Sequence, residues 1–212
     1  MNEAFSQSFT MKGVLYLMDG KTYRAVRKSS KNTAWEAVSV SGTAYVPTTT
    51  ISAAPTGGGT SYEAVNLLTP KRINTFIGDG TATQFKVDAT DLDETAVTAE
   101  VNGSAVTVSA VNRSTGLVTL AAAPANGNGL ANVSIAFAKT VSGHADKINK
   151  CRFAGLYGGK NDTRVFLSGN PDEPDCDWQS GLYDPTYFPD TGYTRMGTDA
   201  SAIVGYLKQY ES

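Results

Sequence analysis

The residues best suited to chemistry lie in an acidic segment in the last quarter of the sequence. No Lys or Arg occurs between Arg164 and Arg195, whereas six carboxylates do: Asp172, Glu173, Asp175, Asp177, Asp184 and Asp190. Oxygen ligands on a flexible loop are what calcium prefers, so Asp172, Asp175 and Asp177 form a candidate cation site, although they lack the central Gly and distal Glu of a helix–loop–helix calcium loop. Paired carboxylates also hydrolyse glycosides, and Asp beside Pro stabilises turns. We favour turn formation and keep the cation site and carboxylate catalysis as alternatives.

Four aromatic residues in the same segment form a candidate interaction loop: Trp178, Tyr183, Tyr187 and Phe188. Exposed aromatic rings stack on sugars or on nucleic-acid bases. Aromatic residues interleaved with Pro and Gly also fasten a long loop to its own sheet by burying apolar area. We favour fastening of the loop to its own sheet. The alternative, stacking on a ligand, makes carbohydrate a possible partner.

Other reactive side chains predict no catalytic or cofactor site. Ser142, His144 and Asp146 place a hydroxyl, an imidazole and a carboxylate close together in sequence, but neighbouring residues point in different directions and do not converge as a triad must. We expect a solvated loop there. Cys151 and Cys176 lack a CxxC spacing and, with a single His, cannot form a zinc tetrad. They are predicted to be reduced, partly buried thiols, and the chain to be non-enzymatic.

Charge and hydropathy restrict the partners further. The chain of 212 residues has 18 Lys and Arg against 20 Asp and Glu, so it lacks the basic stripe that neutralises nucleic-acid phosphates. We expect no sequence-specific nucleic-acid binding. The first residues do not resemble a secretory signal, and no apolar run approaches the ~18 residues of a membrane span. No membrane partner is therefore expected.

The pattern of residues predicts an all-β fold with three segments. In residues 1–70, an apolar run at 14–18 and an alternating run at 22–26 flank Asp19-Gly20, a strong hairpin signal. Another alternating run follows at 35–40, and the Gly-rich stretch 48–62 is predicted to be a flexible linker. It is not predicted to bind phosphate, since the strand, helix and Gly-Lys-Ser/Thr of a phosphate loop are missing.

The remaining two segments are also predicted to be strands and turns. Residues 71–140 contain short strands with turn signals every 8–12 residues, including Asn102-Gly103, which predicts a small β-sandwich. Residues 141–212 contain predicted strands at 151–157, 164–168 and 202–207, with Gly158-Gly159 between the first two and the long acidic, aromatic loop before the last. The sandwich is thus predicted to be inserted between two antiparallel sheets.

The runs Arg-Val-Phe-Leu-Ser-Gly-Asn-Pro at 164–171 and Asp-Pro-Thr-Tyr-Phe-Pro-Asp at 184–190 resemble tail and neck structural proteins of tailed bacteriophages and prophages, of the tail-nozzle or tail-tubular type. The run Thr-Phe-Ile-Gly-Asp-Gly-Thr at 75–81, with Gly-Leu-Val-Thr-Leu at 116–120 and Ala-Pro at 123–124, is similar to small β-sandwich modules of phage tail and fibre proteins. The resemblance implies propeller blades that form a ring or tube, and it implies no catalytic residue.

These observations predict a virion structural protein of the tail or neck. It would be made in the bacterial cytoplasm and would act by assembly with other tail, neck or head proteins, as a homo-oligomer. Because a propeller needs several blades and this sequence supplies at most about two, the chain is expected to be a piece of a larger assembly. The alternative is a receptor- or carbohydrate-binding module of a phage tail.

Overall fold

The computed structural model describes residues 6–29, 34–158, 161–197 and 201–209. Strands account for 44% of the residues and helices for 6%, and several sheets are antiparallel, so the predicted all-β class is confirmed. The chain forms two compact units. Unit 1 contains Met1–Tyr45, Asn66–Thr69 and Ser142–Ser212, and unit 2 contains Val46–Val65 and Pro70–Val141. Within the described ranges, no helix is long and apolar enough to cross a membrane.

The first sheet of unit 1 is an antiparallel meander of four strands that follow one another in chain order. Its strands are β1 (Gln7–Met11), β2 (Val14–Met18), β3 (Tyr23–Lys28) and β4 (Trp35–Ser39). The hairpin predicted at Asp19-Gly20 is confirmed: Asp19 Oδ1 accepts hydrogen bonds from the backbone N–H groups of Lys21 and Thr22, at 3.0 and 2.7 Å. Strand β1 was not predicted.

The second sheet of unit 1 is also an antiparallel meander of four strands in chain order. Its strands are β14 (Phe153–Tyr157), β15 (Arg164–Ser168), β16 (Cys176–Gln179) and β17 (Tyr193–Arg195). The predicted strands at 151–157 and 164–168 correspond to β14 and β15; of the Gly pair between them, Gly159 lies outside the described residues. Strand β16 interrupts the stretch that was predicted to be one long loop.

The strand predicted at 202–207 is wrong, because residues 201–209 have no strand structure. This segment is held by scattered contacts instead of a ladder. The backbone N–H of Ile203 donates to the carbonyl of Pro174 at 3.0 Å, and the Tyr206 hydroxyl donates to Asp177. The apolar run at 202–207 therefore does not form a strand, because its backbone makes isolated hydrogen bonds and no ladder.

A short helix and a shared core complete unit 1. Helix α1 (His144–Asn149) occupies the place where a loop around His144 was predicted. Both sheets and the helix contribute to one apolar core, whose largest fully buried side chains include Trp178, Tyr23, Phe188, Met18, Ile148 and Leu167. The Asn66–Thr69 segment adds Leu67 and Leu68 to this core.

Unit 2 consists of two sheets. The larger has the strand order β10-β9-β13-β7-β5-β6 and the smaller has the order β11-β12-β8. The larger sheet contains β5 (Thr48–Ala53), β6 (Thr60–Ser61), β7 (Lys71–Phe76), β9 (Thr98–Val101), β10 (Ser104–Val106) and β13 (Val133–Ala138). The smaller contains β8 (Gln84–Lys86), β11 (Val108–Asn112) and β12 (Leu117–Leu120). The two sheets share one core, which includes Phe76, Phe85, Val118 and Ile135.

The flexible linker predicted at 48–62 is wrong, because β5 and β6 lie within it. Strand β5 pairs in parallel with β7, and this pairing supplies backbone partners that the local sequence does not reveal. The glycines form the turn between β5 and β6: Gly57 N–H donates to the carbonyl of Ala54 at 2.9 Å, and Gly57, Gly58 and Gly59 have positive φ. The β-branched run from Thr48 to Ile51 was the overlooked strand signal.

Candidate functional site

The acidic segment begins in a turn that is bound to helix α1. Asn170, which is 2% exposed, accepts a hydrogen bond from the backbone N–H of Asp172 through Oδ1. Its Nδ2 donates to the carbonyl oxygens of Asp146 and Lys147, at 3.3 and 3.2 Å. The buried amide thus closes its own turn and fastens the turn to the helix.

Three carboxylates of the segment are matched by cations from outside it. Lys150 Nζ lies 2.6 Å from Asp172 Oδ2, and Lys147 Nζ lies 3.3 Å from Glu173 Oε1. Both lysines belong to the helical segment that precedes β14. The third pair joins Arg195, in β17, to Asp175.

Burial distinguishes these pairs. Asp175 is almost fully buried, and Arg195 donates to its Oδ1 at 2.7 Å. Removal of the Arg195 side chain would therefore leave the buried charge of Asp175 without a partner. Asp172 is mostly exposed, and an exposed pair of this kind contributes little to stability. The network holds the segment against α1 and β17.

Asp172, Asp175 and Asp177 do not converge on a common point. They bind Lys150, Arg195 and Tyr206 respectively. Across the described residues, no group of three or more His, Cys, Asp or Glu side chains has an arrangement that could hold a metal ion. The geometry therefore offers no support for the cation alternative.

Asp177 is paired with a phenol, the side chain of Tyr206. It is 8% exposed, and Oδ1 accepts a hydrogen bond of 2.6 Å from the hydroxyl of Tyr206. Burial raises the pKa of Asp177, and the hydrogen bond from Tyr206 opposes that rise. The pKa of Tyr206 is also raised, first by burial and then by its bond to Asp177.

The candidate interaction loop is divided between core and surface. Trp178 and Phe188 are fully buried; Lys147 Nζ lies 5.1 Å from the Trp178 ring centroid, and Tyr23 contacts Phe188 edge-on at 6.2 Å. These two rings cannot stack on a ligand, which corrects that part of the prediction and agrees with fastening of the loop to its own sheet.

The other two aromatic residues are more accessible. Tyr183 is 39% exposed and has a positive φ of 53°. The Tyr187 ring lies 5.1 Å from that of Tyr45. A turn at Asp184 separates them, since Asp184 Oδ1 accepts hydrogen bonds from the N–H and hydroxyl of Thr186. They belong to a rigid turn instead of a free loop.

Cys151 and Cys176 are free thiols, and both are fully buried. Cys151 donates to the carbonyl of Lys147 at 3.1 Å, and Cys176 donates to Glu173 Oε2 at 3.3 Å. Burial and then the Glu173 bond raise the pKa of Cys176 to about 11, and burial raises that of Cys151. Neither thiol has the thiolate character of a nucleophile.

A groove of about 620 Å³ runs beside the first strands of the two unit 1 sheets. Its walls include Phe9 from β1, Leu156 from β14, and Tyr206 from the 201–209 segment. Gly155 makes the close approach of Tyr206 possible, because a Cβ at residue 155 would lie 2.9 Å from the Tyr206 ring. Sequence reasoning did not find this groove, since its walls are distant in sequence.

Comparison with known proteins gives no relative: no protein-family model matches the chain, and no curated protein or solved structure shows significant similarity to it.

Proposed function

We propose that the chain is a structural component of a bacteriophage virion, in the tail or neck, and that it acts by assembling into an oligomeric ring or tube. The observation that carries the proposal is the pair of four-stranded antiparallel sheets in unit 1, each with its strands in chain order. A propeller blade is a sheet of this kind.

The arrangement of the two sheets supports their description as neighbouring blades. Blades of a propeller surround a central channel, so corresponding strands of neighbouring blades lie close together. In unit 1 the first strands are in contact: Gln7 Oε1 of β1 accepts a hydrogen bond of 2.6 Å from the backbone N–H of Ala154 in β14. The sheets also share one apolar core.

A small apolar patch on the outer face of the first sheet supports assembly with further subunits. Successive residues of a strand point to opposite faces, and Tyr16 and Met18 of β2 face the core. Leu15 therefore points the other way, with 38% of its surface exposed, and pairs with Val26 of β3. Because propellers have 4–8 blades, we propose that neighbouring subunits cover this face.

Unit 2 fits the role of an inserted sandwich module. Its two sheets share a core that is built entirely from its own residues. In the proposed particle this module is a small β-sandwich of the kind that the resemblance to phage tail and fibre proteins implies.

Light scattering after size-exclusion chromatography tests the assembly. We expect a mass several times the 22.3 kDa of one chain, and we expect Leu15→Lys to abolish the oligomer because it places a charge in an apolar interface. Leu130→Lys is the matched control, since Leu130 is 75% exposed in unit 2. A monomer at all concentrations up to about 100 μM, well above the micromolar range of stable interfaces, would contradict the proposal.

Peptide mass spectrometry of purified virus particles tests the location. Peptides of this chain should co-purify with particles through a density gradient, in a ratio expected of a ring of subunits. Their absence from particles that contain head and tail proteins would overturn the virion assignment, even if the isolated chain forms oligomers.

A further inference from the structure

We infer that unit 2 has an oxyanion-binding site, which takes the phosphate or carboxylate group of a small acidic ligand such as an acidic sugar. The site is a cavity of about 630 Å³ at one end of the unit's two sheets. Its lining includes three basic residues, Arg72, Lys86 and Lys139, and the Gly-rich turn at Gly57 and Gly58. The inference is independent of assembly.

Arg72 carries the argument. It lies on β7, on the face that also bears Asn74 and Phe76, and it is only 8% exposed. Its Nη2 makes a long hydrogen bond of 3.5 Å to the carbonyl of Lys139, and its guanidinium lies 5.9 Å from the Phe137 ring centroid.

The Nε of Arg72 is buried and has no hydrogen-bond partner among the described residues. A buried donor on a charged group without a partner is costly. An oxyanion in the cavity would supply a counter-charge to the guanidinium.

The charge in the cavity favours an anion. Among the described residues, no carboxylate forms a salt bridge with Arg72, Lys86 or Lys139. Asp88 also lines the cavity, but its Oδ2 already accepts hydrogen bonds from Thr49, Thr50 and Asn74. Three cations thus line the cavity with one carboxylate that already accepts hydrogen bonds from neutral donors, and Lys139 Nζ donates to the carbonyl of Asp91 at 2.9 Å.

The Gly-rich turn shapes the opposite wall. Gly57 has a φ of 102°, and a Cβ there would lie 3.2 Å from the Lys86 side chain, which packs across it. Gly58 has a φ of 80°, and a Cβ there would meet no atom within 4 Å. The turn therefore positions Lys86 and leaves the cavity open beside it.

The remaining wall residues indicate the kind of ligand. The volume lies within the range of small-molecule pockets. Thr56 and Thr90 add hydroxyl groups to the lining, and none of the residues identified in the lining is aromatic. The described lining thus has no stacking surface for a nucleobase, and its hydroxyl groups suit a small polar ligand that carries an acidic group.

Nuclear magnetic resonance titration of the whole chain provides the test, with the Arg72 Nε–H signal as the readout. Inorganic phosphate, at constant ionic strength, should shift this signal with saturation and a Kd on the order of 1 mM, as expected for a few charge-assisted hydrogen bonds. Glucose, as the neutral probe, should leave it unchanged. No saturable shift up to about 50 mM phosphate, far above that Kd, would overturn the inference.

Variants separate the site from general charge effects. Lys86→Gln should weaken phosphate binding about tenfold, whereas Lys71→Gln, an exposed position on β7 outside this lining, should not change it. Equal weakening by both would contradict a defined site. Arg72→Met should abolish the binding. Arg72 is buried, so this variant could fail to fold; in that case the comparison of Lys86→Gln with Lys71→Gln decides.

A comparison of two carboxylate ligands, glucuronate and acetate, shows whether the site recognises an acidic sugar or any small anion. Glucuronate that binds at least about fivefold tighter than acetate would support recognition of an acidic sugar. Equal affinities would support the oxyanion site and overturn its assignment to a sugar, leaving free anions as its ligands.

Discussion

The side chain of Gln7 accepts a hydrogen bond of 2.6 Å from the backbone N–H of Ala154, and so joins the first strand of one unit 1 sheet to the first strand of the other. The two residues are 147 positions apart in the chain. A hydrogen bond over this separation is directional, unlike the apolar core that the two sheets share, and so helps to fix their relative placement.

Removing this acceptor should destabilise unit 1. We expect Gln7→Leu to lower the free energy of unfolding by about 1–3 kcal/mol, because the Ala154 N–H is left without a partner. Gln7→Glu retains a side-chain oxygen and should lose less than half as much. Urea unfolding followed by tryptophan fluorescence reports on unit 1, which contains both Trp35 and Trp178. Equal losses in the two variants would show that the hydrogen bond is not what Gln7 contributes.

The two cysteines should be inert in the folded chain. Both are fully buried, and burial raises the pKa of Cys151 and, with the Glu173 bond, that of Cys176 to about 11. At pH 8 we expect a thiol-specific disulfide reagent to label the native chain at least about 100 times more slowly than the unfolded chain, which has ordinary thiols with a pKa near 8.5. Rapid labelling of two thiols without denaturant would contradict the burial.

Asp177 should make unit 1 less stable as pH rises. Because its pKa in the folded state is raised by burial, the folded chain binds its proton more tightly than the unfolded chain does. The contribution of Asp177 to stability is therefore greatest below the unfolded pKa of about 3.9, and it falls as pH rises from that value through the folded pKa.

The variant Asp177→Asn tests this pH dependence. It keeps an acceptor for Tyr206 but cannot ionise, so its stability relative to the natural chain should increase from pH 3 to pH 7. Chemical unfolding at several pH values measures the difference, and Asp172→Asn is the control because Asp172 is mostly exposed. A difference that does not change with pH would refute the role of Asp177.

Asp88 should stabilise unit 2, because it accepts hydrogen bonds from both β5 and β7. Its Oδ2 binds Thr49 and Thr50 of β5 and Asn74 of β7, and Asn74 is fully buried. Asp88→Ala should cost about 1–3 kcal/mol, because the buried hydroxyl groups of Thr49 and Thr50 lose their shared acceptor. Glu100→Ala, at an exposed position of β9, should change stability by less than about 0.5 kcal/mol. Thermal unfolding followed by circular dichroism gives both values, and similar losses would contradict the prediction.

The local elements of the fold could be predicted where the signal was itself local. Asn102-Gly103 forms the predicted two-residue turn with positive φ at both positions, whereas Asp19-Gly20 lies in a four-residue hairpin loop with positive φ only at Gly20. Strand β15 coincides with the apolar run at 164–168. Backbone conformation at such positions depends on the residues present and on their immediate neighbours.

Elements that depend on distant partners were predicted less well. The β-branched residues of β5 were assigned to a linker because the glycines after them are also typical of linkers, and only the parallel pairing with β7 distinguishes the two. The run at 202–207 is apolar enough for a strand, yet its backbone lies beside irregular residues such as Pro174.

The sequence by itself determined the all-β class, the tight turns and the near balance of charge, because strand propensity, positive φ and ionisation are properties of individual residues and their neighbours. Only the tertiary structure decided which charges meet. It brings Lys147 and Lys150 to the acidic segment, buries Trp178 and Phe188 in the core, and places Arg72 beside Lys86 and the Gly-rich turn. Contacts of this kind depend on the pairing of strands far apart in the chain, which the spacing of residues does not specify.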